Sequence, residues 1–207
     1  TFIERLLPEL AEWLDRPAAF FGHCLGGLTM FVAACSLPTA SRQFLAHLFA
    51  CGARPPHLLK AMGEFEDNLV YDMMLHPQFD ARRAAYAQSD EIFADIIRQF
   101  DTSAADEMLA ARRLREALLP TIRAEFGMAY NYIHRAAERF SFPITSFVGD
   151  SDPWVSRQHS DAWGELTSAR FESQLRRGSH FLIAEDRAHI LQTIYTSFVA
   201  PITEGLA

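Results

Sequence analysis

The chain has 207 residues, of which 49% are hydrophobic and 22% charged, an ordinary globular composition with enough length for one buried core. A net charge of −7 argues against nonspecific nucleic-acid binding, and the sequence has no zinc-finger, P-loop or basic-aromatic pattern. The three cysteines, Cys24, Cys35 and Cys51, are odd in number and lack C-x-x-C spacing, which predicts a reducing, cytoplasmic setting without a disulfide framework.

Residues 1–15 carry Phe2, Leu6, Leu7, Leu10, Trp13 and Leu14 at helical spacing with charges between them, predicting a helix ahead of the first strand. The apolar run 18–21 reads as a strand, Gly22-His23-Cys24-Leu25-Gly26 as a sharp turn, and 28–37 as a buried helix. Residues 17–41 contain no Lys, Arg, Asp or Glu, but glycines and Pro38 break the stretch, and each half falls short of the about 20 helical residues that cross a bilayer. No membrane association is expected. Residues 47–51 form a second strand, ended by Gly52 and Pro55-Pro56.

From His57 to Arg139 strand signals nearly vanish. Four amphipathic segments follow, 58–75, 81–100, 104–118 and 121–138, broken near Pro77, Thr102-Ser103 and Pro120. Arg112-Arg113-Leu114-Arg115 reads as a solvated helix face, with a dock for an acidic partner as the alternative. Strands return at 144–148 and 171–175. Between them lies a helix over 156–166 with Ser156 as its N-cap, and a closing helix spans 185–199. The expectation is one α/β domain over 1–207, with a mostly parallel sheet, helices on both faces and a helical insertion at 58–118.

Strand, G-x-nucleophile-x-G turn and helix make the nucleophile elbow of the α/β-hydrolases, here with Cys24 where serine is usual. Gly22 and Gly26 are expected where a Cβ would strike the neighbouring strand and helix. The Leu25 N–H, at a helix N-terminus beside the nucleophile, suits an oxyanion. A nucleophile needs a base, and the base a carboxylate. The hydrolase order of nucleophile, acid and histidine is met by Cys24, Asp152 and His180, each just past a strand. Asp150 competes with Asp152, and either can instead cap a turn; Asp152 is favoured because it stands one step further out, ahead of Pro153-Trp154-Val155. His180 in Gly178-Ser179-His180-Phe181 competes with a plain surface role. His23, substrate-adjacent in the turn, braces it rather than reacts. His47, His57, His76, His134, His159 and His189 are assigned no chemistry, Cys35 and Cys51 read as small buried hydrophobes, and no metal site is expected.

The chain resembles the type II thioesterases, the editing enzymes of nonribosomal peptide and polyketide synthases. The resemblance is carried by Phe20-Phe21-Gly22-His23-Cys24-Leu25-Gly26-Gly27, by Leu48-Phe49-Ala50-Cys51-Gly52-Ala53-Arg54-Pro55-Pro56-His57, by Pro143 through Val155 and by Gly178-Ser179-His180-Phe181-Leu182. It implies a monomeric α/β-hydrolase-fold thioesterase acting on acyl groups held on the phosphopantetheine arm of an acyl or peptidyl carrier protein. It implies Cys24, Asp152 and His180 as nucleophile, acid and base, a mobile helical lid near 58–118, and no cofactor. The family's earlier strands and the Gly-rich loop giving a second oxyanion N–H are expected upstream of Thr1. A cysteine nucleophile would make the acyl-enzyme a thioester, favouring acyl transfer or cyclisation as the alternative outcome; polyester-forming synthases on this fold resemble the chain in their G-x-C-x-G-G elbow. A catalytically idle protein that docks on a synthase is the non-enzymatic alternative.

Overall fold

The computed structural model describes residues 2–59, 110–130 and 139–201, with positions 87, 89, 90, 93, 98, 106 and 132. The chain divides into two compact units, Thr1–Leu58 with Arg135–Ala207, and Leu59–His134. The predicted helices over 58–75 and 81–100, and most of the lid placed at 58–118, lie outside the described residues.

The first unit is built on a four-stranded sheet of β1 (Ala18–His23), β2 (Leu45–Cys51), β3 (Ile144–Gly149) and β4 (Phe171–Arg176). All neighbours are parallel and sheet order equals chain order. Parallel strands buried on both sides read as continuous apolar runs, and β2 is such a strand. Leu48 and Ala50 enter one core cluster while Phe49 and Cys51 enter the other, as the two-residue period of a strand requires. On the first face α1 (Phe2–Trp13) and α2 (Leu25–Ser36) cover the sheet. On the second, Leu182 and Ile190 cover it from α5 (Leu182–Glu185) and α6 (Arg187–Ile194). Each side chain buried in full contributes about 1.5–3 kcal/mol, so these two layers hold the strand ends in place.

Three details differ from the sequence reading. In α1, Ile3, Leu7 and Leu10 face the core, with Leu14 just beyond the helix; Trp13 and Phe2 point outward, Trp13 at 78% exposure. The helical turn Thr39–Arg42 precedes β2, where no element was expected; its Arg42 Nη2 donates to the carbonyls of Cys35 and Leu37 and so closes the end of α2. In the second unit α3 (Arg112–Tyr130) runs through Pro120 instead of breaking there. Proline removes one helical hydrogen bond, but Pro120 lies on the exposed side while Leu119, Ile122 and Phe126 recur on the opposite face. Within that unit Phe126 meets Phe93 edge-on at 5.3 Å, and Arg123 lies over the Phe93 ring while pairing with Asp90 at 2.8 Å.

The predicted cap at Ser156 opens the short α4 (Arg157–Asp161). Ser156 Oγ accepts from the His159 N–H, and His159 Nδ1 accepts from the Ser156 N–H. Histidine thus fills the position that Glu or Gln usually takes in a capping box. Among the described residues no helix is long and apolar enough to cross a membrane.

Candidate active site

β1 ends at His23 and α2 begins at Leu25, so Cys24 alone makes the turn between them. It does so at φ 52° and ψ −121°, and among the described residues it is the one non-glycine residue with positive φ. Such a conformation costs about 1–3 kcal/mol and persists only where surroundings hold it. Here the Cys24 N–H donates to the Cys51 carbonyl at 2.9 Å and the Gly27 N–H to the Cys24 carbonyl at 3.1 Å. A Cβ at Gly22 would lie 2.3 Å from the Gly26 carbonyl, so strand and helix meet there only through glycine. Gly26 itself has open space where a Cβ would go. The second close approach belongs to Gly27, whose Cβ would lie 2.5 Å from that of Ala53. The helix turns Gly26 outward and its neighbour toward the exit of β2. Leu25 opens α2, so its N–H is one of the helix-start donors that no intrahelical carbonyl takes.

The other sequence-predicted side chains converge on this turn. Asp152 lies just past β3 and His180 just past β4. His180 Nδ1 donates to Asp152 Oδ2 at 3.0 Å, with the two side chains 3% and 0% exposed. The Cys24 side chain also acts on His180, favouring the protonated imidazole. Burial by itself would push the imidazole pKa down, but the bonds and attraction to Asp152 and Cys24 outweigh it and raise it from 6.5 to about 9. For Asp152 burial would raise the pKa. The His180 bond and charge, with the Trp154 and Val155 N–H groups on Oδ1 at 2.8 and 3.1 Å, hold it below the ordinary carboxylate value. Asp150, the competing acid, takes a different partner: its Oδ1 accepts from the Gly178 N–H at 3.0 Å.

Several residues not singled out for chemistry frame this cluster. Gly52 sits at φ +52° beneath the imidazole, where a Cβ would come 3.2 Å from the His180 carbonyl and 3.5 Å from both Asp152 Oδ2 and His180 Nδ1. Glu185 accepts from the Ser179 N–H at 2.7 Å and from Ser179 Oγ at 2.6 Å, and Ser151 Oγ donates to the Gly178 carbonyl at 2.7 Å. Together they pin the loop that carries His180. A glycine after an apolar strand was a visible signal for Gly52; no spacing rule points to Glu185. His23, placed beside the substrate by the sequence reading, donates through Nε2 to the His180 backbone carbonyl at 2.8 Å. Cys51 is fully buried, and burial with the Asp152 charge pushes its thiol up to about 12. Cys35 is likewise pushed up by burial, to about 11. Among the described residues no group of three His, Cys, Asp or Glu side chains is placed to hold a metal ion.

The model of the thioesterase-domain family matches residues 2–198. The chain belongs to that family. Among curated proteins, this thioesterase domain is similar to the gramicidin S biosynthesis protein GrsT of Aneurinibacillus migulanus, 26% identical over 190 residues that cover 92% of this chain and 66% of GrsT. It is also similar to thioesterase PikA5 of Streptomyces venezuelae, 27% identical over 183 residues, covering 88% of this chain and 57% of PikA5. Among solved structures it is similar to the RedJ thioesterase of the prodiginine biosynthetic pathway in Streptomyces coelicolor, with a TM-score of 0.69, 26% identity, and coverage of 91% of this chain and 66% of RedJ. The thioesterase domain shares the α/β-hydrolase fold of that structure. It spans about two thirds or less of the length of these relatives.

Proposed function

We propose that this protein is a thioesterase that takes acyl groups from the phosphopantetheine arm of an acyl or peptidyl carrier protein in nonribosomal peptide or polyketide biosynthesis, with Cys24 as nucleophile. The observation that carries the reading is the buried His180–Asp152 pair at 3.0 Å, whose imidazole responds to the Cys24 side chain, together with a Cys24 held at positive φ between β1 and α2. The family match supports the reaction class. The names of GrsT, a gramicidin S biosynthesis protein, and RedJ, a prodiginine-pathway thioesterase, support the biosynthetic setting.

A histidine raised to about 9 carries a proton at neutral pH. The first step runs through the thiolate form of Cys24, the form in which any cysteine acts as a nucleophile. Its sulfur attacks the thioester carbonyl, the oxyanion faces the Leu25 N–H, and the C–S bond to pantetheine breaks as His180 delivers its proton to the leaving sulfur. The product is an acyl thioester on Cys24 and a neutral imidazole. In the second step that imidazole takes a proton from water as water attacks, releasing the carboxylic acid and restoring the thiolate–imidazolium pair. The protein needs no cofactor of its own for either step, since phosphopantetheine arrives with the substrate. The helical insertion near 58–118 would serve as a lid, and the protein would act as a cytoplasmic monomer.

A second reading, acyl transfer or cyclisation, is favoured by the cysteine itself. A thioester acyl-enzyme keeps nearly the full energy of the carrier-bound substrate and reacts readily with amines. Intact-protein mass spectrometry of the full-length protein with short acyl-pantetheine thioesters tests both. The expected result is an acyl mass gain that Cys24→Ala abolishes, with Cys35 and Cys51 unmodified because burial holds both as thiols. Decay of the adduct in water marks a hydrolase, and decay that needs an added amine or alcohol marks a transferase. No adduct with any acyl group would remove the enzymatic reading and leave a docking protein.

A further inference from the structure

We propose that His23 is a positioning residue for His180: through its Nε2–H it ties the peptide of the base to the end of the strand that leads into the nucleophile. The inference rests on the reading of Cys24 and His180 as nucleophile and base. His23 is the last residue of β1 and directly precedes Cys24, and its Nε2 lies 2.8 Å from the His180 carbonyl, 157 residues away in sequence. A carbonyl oxygen only accepts, so Nε2 carries the proton and donates. The ring is fixed on a second side as well. Its centroid is 5.1 Å from that of His180 and 6.1 Å from that of Phe181, so rotation away from the carbonyl would meet both rings. Burial pushes the His23 pKa down, against the smaller opposing effect of the His180 carbonyl, which keeps the ring neutral beside the protonated base.

The other anchors of the His180 loop act earlier along the chain. Asp150 and Ser151 hold Gly178, and Glu185 holds Ser179. These bonds position the approach to His180 relative to β3 and α5. The bond from His23 positions the peptide of His180 itself, relative to the turn that carries Cys24. A peptide rotation at residue 180 would swing the imidazole at once from Cys24 and from Asp152, and a misplacement of about 1 Å at a reacting pair can cost about 100-fold in rate.

The test uses the full-length protein and an acyl-pantetheine thioester, comparing wild type with His23→Phe and His23→Gln. Phenylalanine keeps the ring against His180 and Phe181 but has no donor; glutamine places an amide N–H near the position of Nε2. His23→Phe is expected to lower kcat about 10- to 100-fold with KM changed less than about 2-fold, and His23→Gln to recover most of that loss. An unchanged kcat in His23→Phe, equal damage in His23→Gln, or a loss confined to KM would each overturn the proposal. A second measurement needs no variant: long-range ¹H–¹⁵N NMR of the wild type at neutral pH should show His23 as the neutral Nε2–H tautomer, and an Nδ1–H tautomer would overturn it even where His23→Phe fails to fold. A wild type that never acylates Cys24 would overturn both this inference and the function it rests on, whereas an acylating wild type matched by His23→Phe would overturn the inference alone.

Discussion

Two histidines lie almost fully buried in the sheet unit, His47 at 4% exposure near the start of β2 and His180 at 3% beyond the end of β4, and they respond to burial in opposite ways. His47 stacks flat on Phe49, with centroids 4.0 Å apart, and its Nε2 shares a hydrogen bond of 2.9 Å with Thr145 Oγ1. A hydroxyl is a partner without charge, so burial, helped by the Arg170 charge and opposed by Glu172, depresses the imidazole to about 4. His180 has a carboxylate at 3.0 Å instead of a hydroxyl and rises to about 9. The lesson is that burial does not make a histidine useful; the sign of the shift comes from the group at hydrogen-bond distance. The parallel sheet places that carboxylate at its C-terminal edge, where Cys24 also stands.

The most direct way to break the contrast is to make His180 resemble His47. Asp152→Asn keeps the shape and removes the charge. The His180 pKa should fall clearly below about 9, with only the Cys24 contribution left to oppose burial, and the acylation rate should drop by about 10³- to 10⁴-fold, as loss of the orienting carboxylate does in comparable triads. Histidine NMR titration and stopped-flow acylation read the two effects, and a His180 pKa still near 9 would show that Asp152 is not the cause.

The contrast should next be visible in stability against pH. Folded His180 binds its proton more tightly than the unfolded 6.5, so its contribution, at most about 3 kcal/mol, is complete below about pH 6.5 and lost as pH rises through about 9. Folded His47 binds its proton more weakly, so stability is complete above about pH 6.5 and lost as pH falls toward about 4, by a similar amount. Denaturant midpoints measured across this range should slope on both sides. Asp152→Asn should flatten the alkaline side and His47→Gln the acid side; an effect on the opposite limb would invert the argument.

Smaller effects sharpen the same comparison. Gly52→Ala places a methyl beneath the imidazole on a left-handed backbone, with an expected cost of about 1–2 kcal/mol in stability and about 10-fold in activity. Thr145→Val leaves His47 Nε2 without its hydroxyl. Chemical denaturation should show a loss of about 1 kcal/mol with acylation changed less than about 2-fold, because His47 and Thr145 lie near the starts of β2 and β3, whereas Cys24, Asp152 and His180 follow the strand ends. Comparable damage to activity from both substitutions would erase the distinction between the two ends.

Much of the fold was legible in sequence because its signals are local. Apolar runs between turn residues gave β1 to β4 within a few positions, and the Ser156 cap lies where a short polar side chain precedes a helix. Element ends were less legible. The orientation of Trp13 and the continuity of α3 through Pro120 depend on which side of each helix is covered, and periodicity leaves that open at helix ends. In the cluster itself, the residue types and their chain order were readable at Cys24, Asp152 and His180. Asp152 was favoured over Asp150 for standing one step further out, and it is the one paired with His180; the Gly178 N–H that Asp150 takes instead was not legible, since two carboxylates two residues apart leave β3 in different directions. The close approach expected at Gly26 falls instead on Gly27 for a similar reason: both follow the nucleophile, and only the rotation of α2 decides which one meets Ala53.

By itself, then, the sequence determined the order of strands and helices, the glycine-flanked turn at Cys24 and the positions at which an acid and a histidine leave the sheet. Tertiary structure alone decided which histidine is charged, which glycine lies beneath it and which side chain holds its peptide. Those properties are set within about 3 Å by groups far apart in the chain, and electrostatic interactions at such distances outweigh any preference that a residue's sequence neighbours impose.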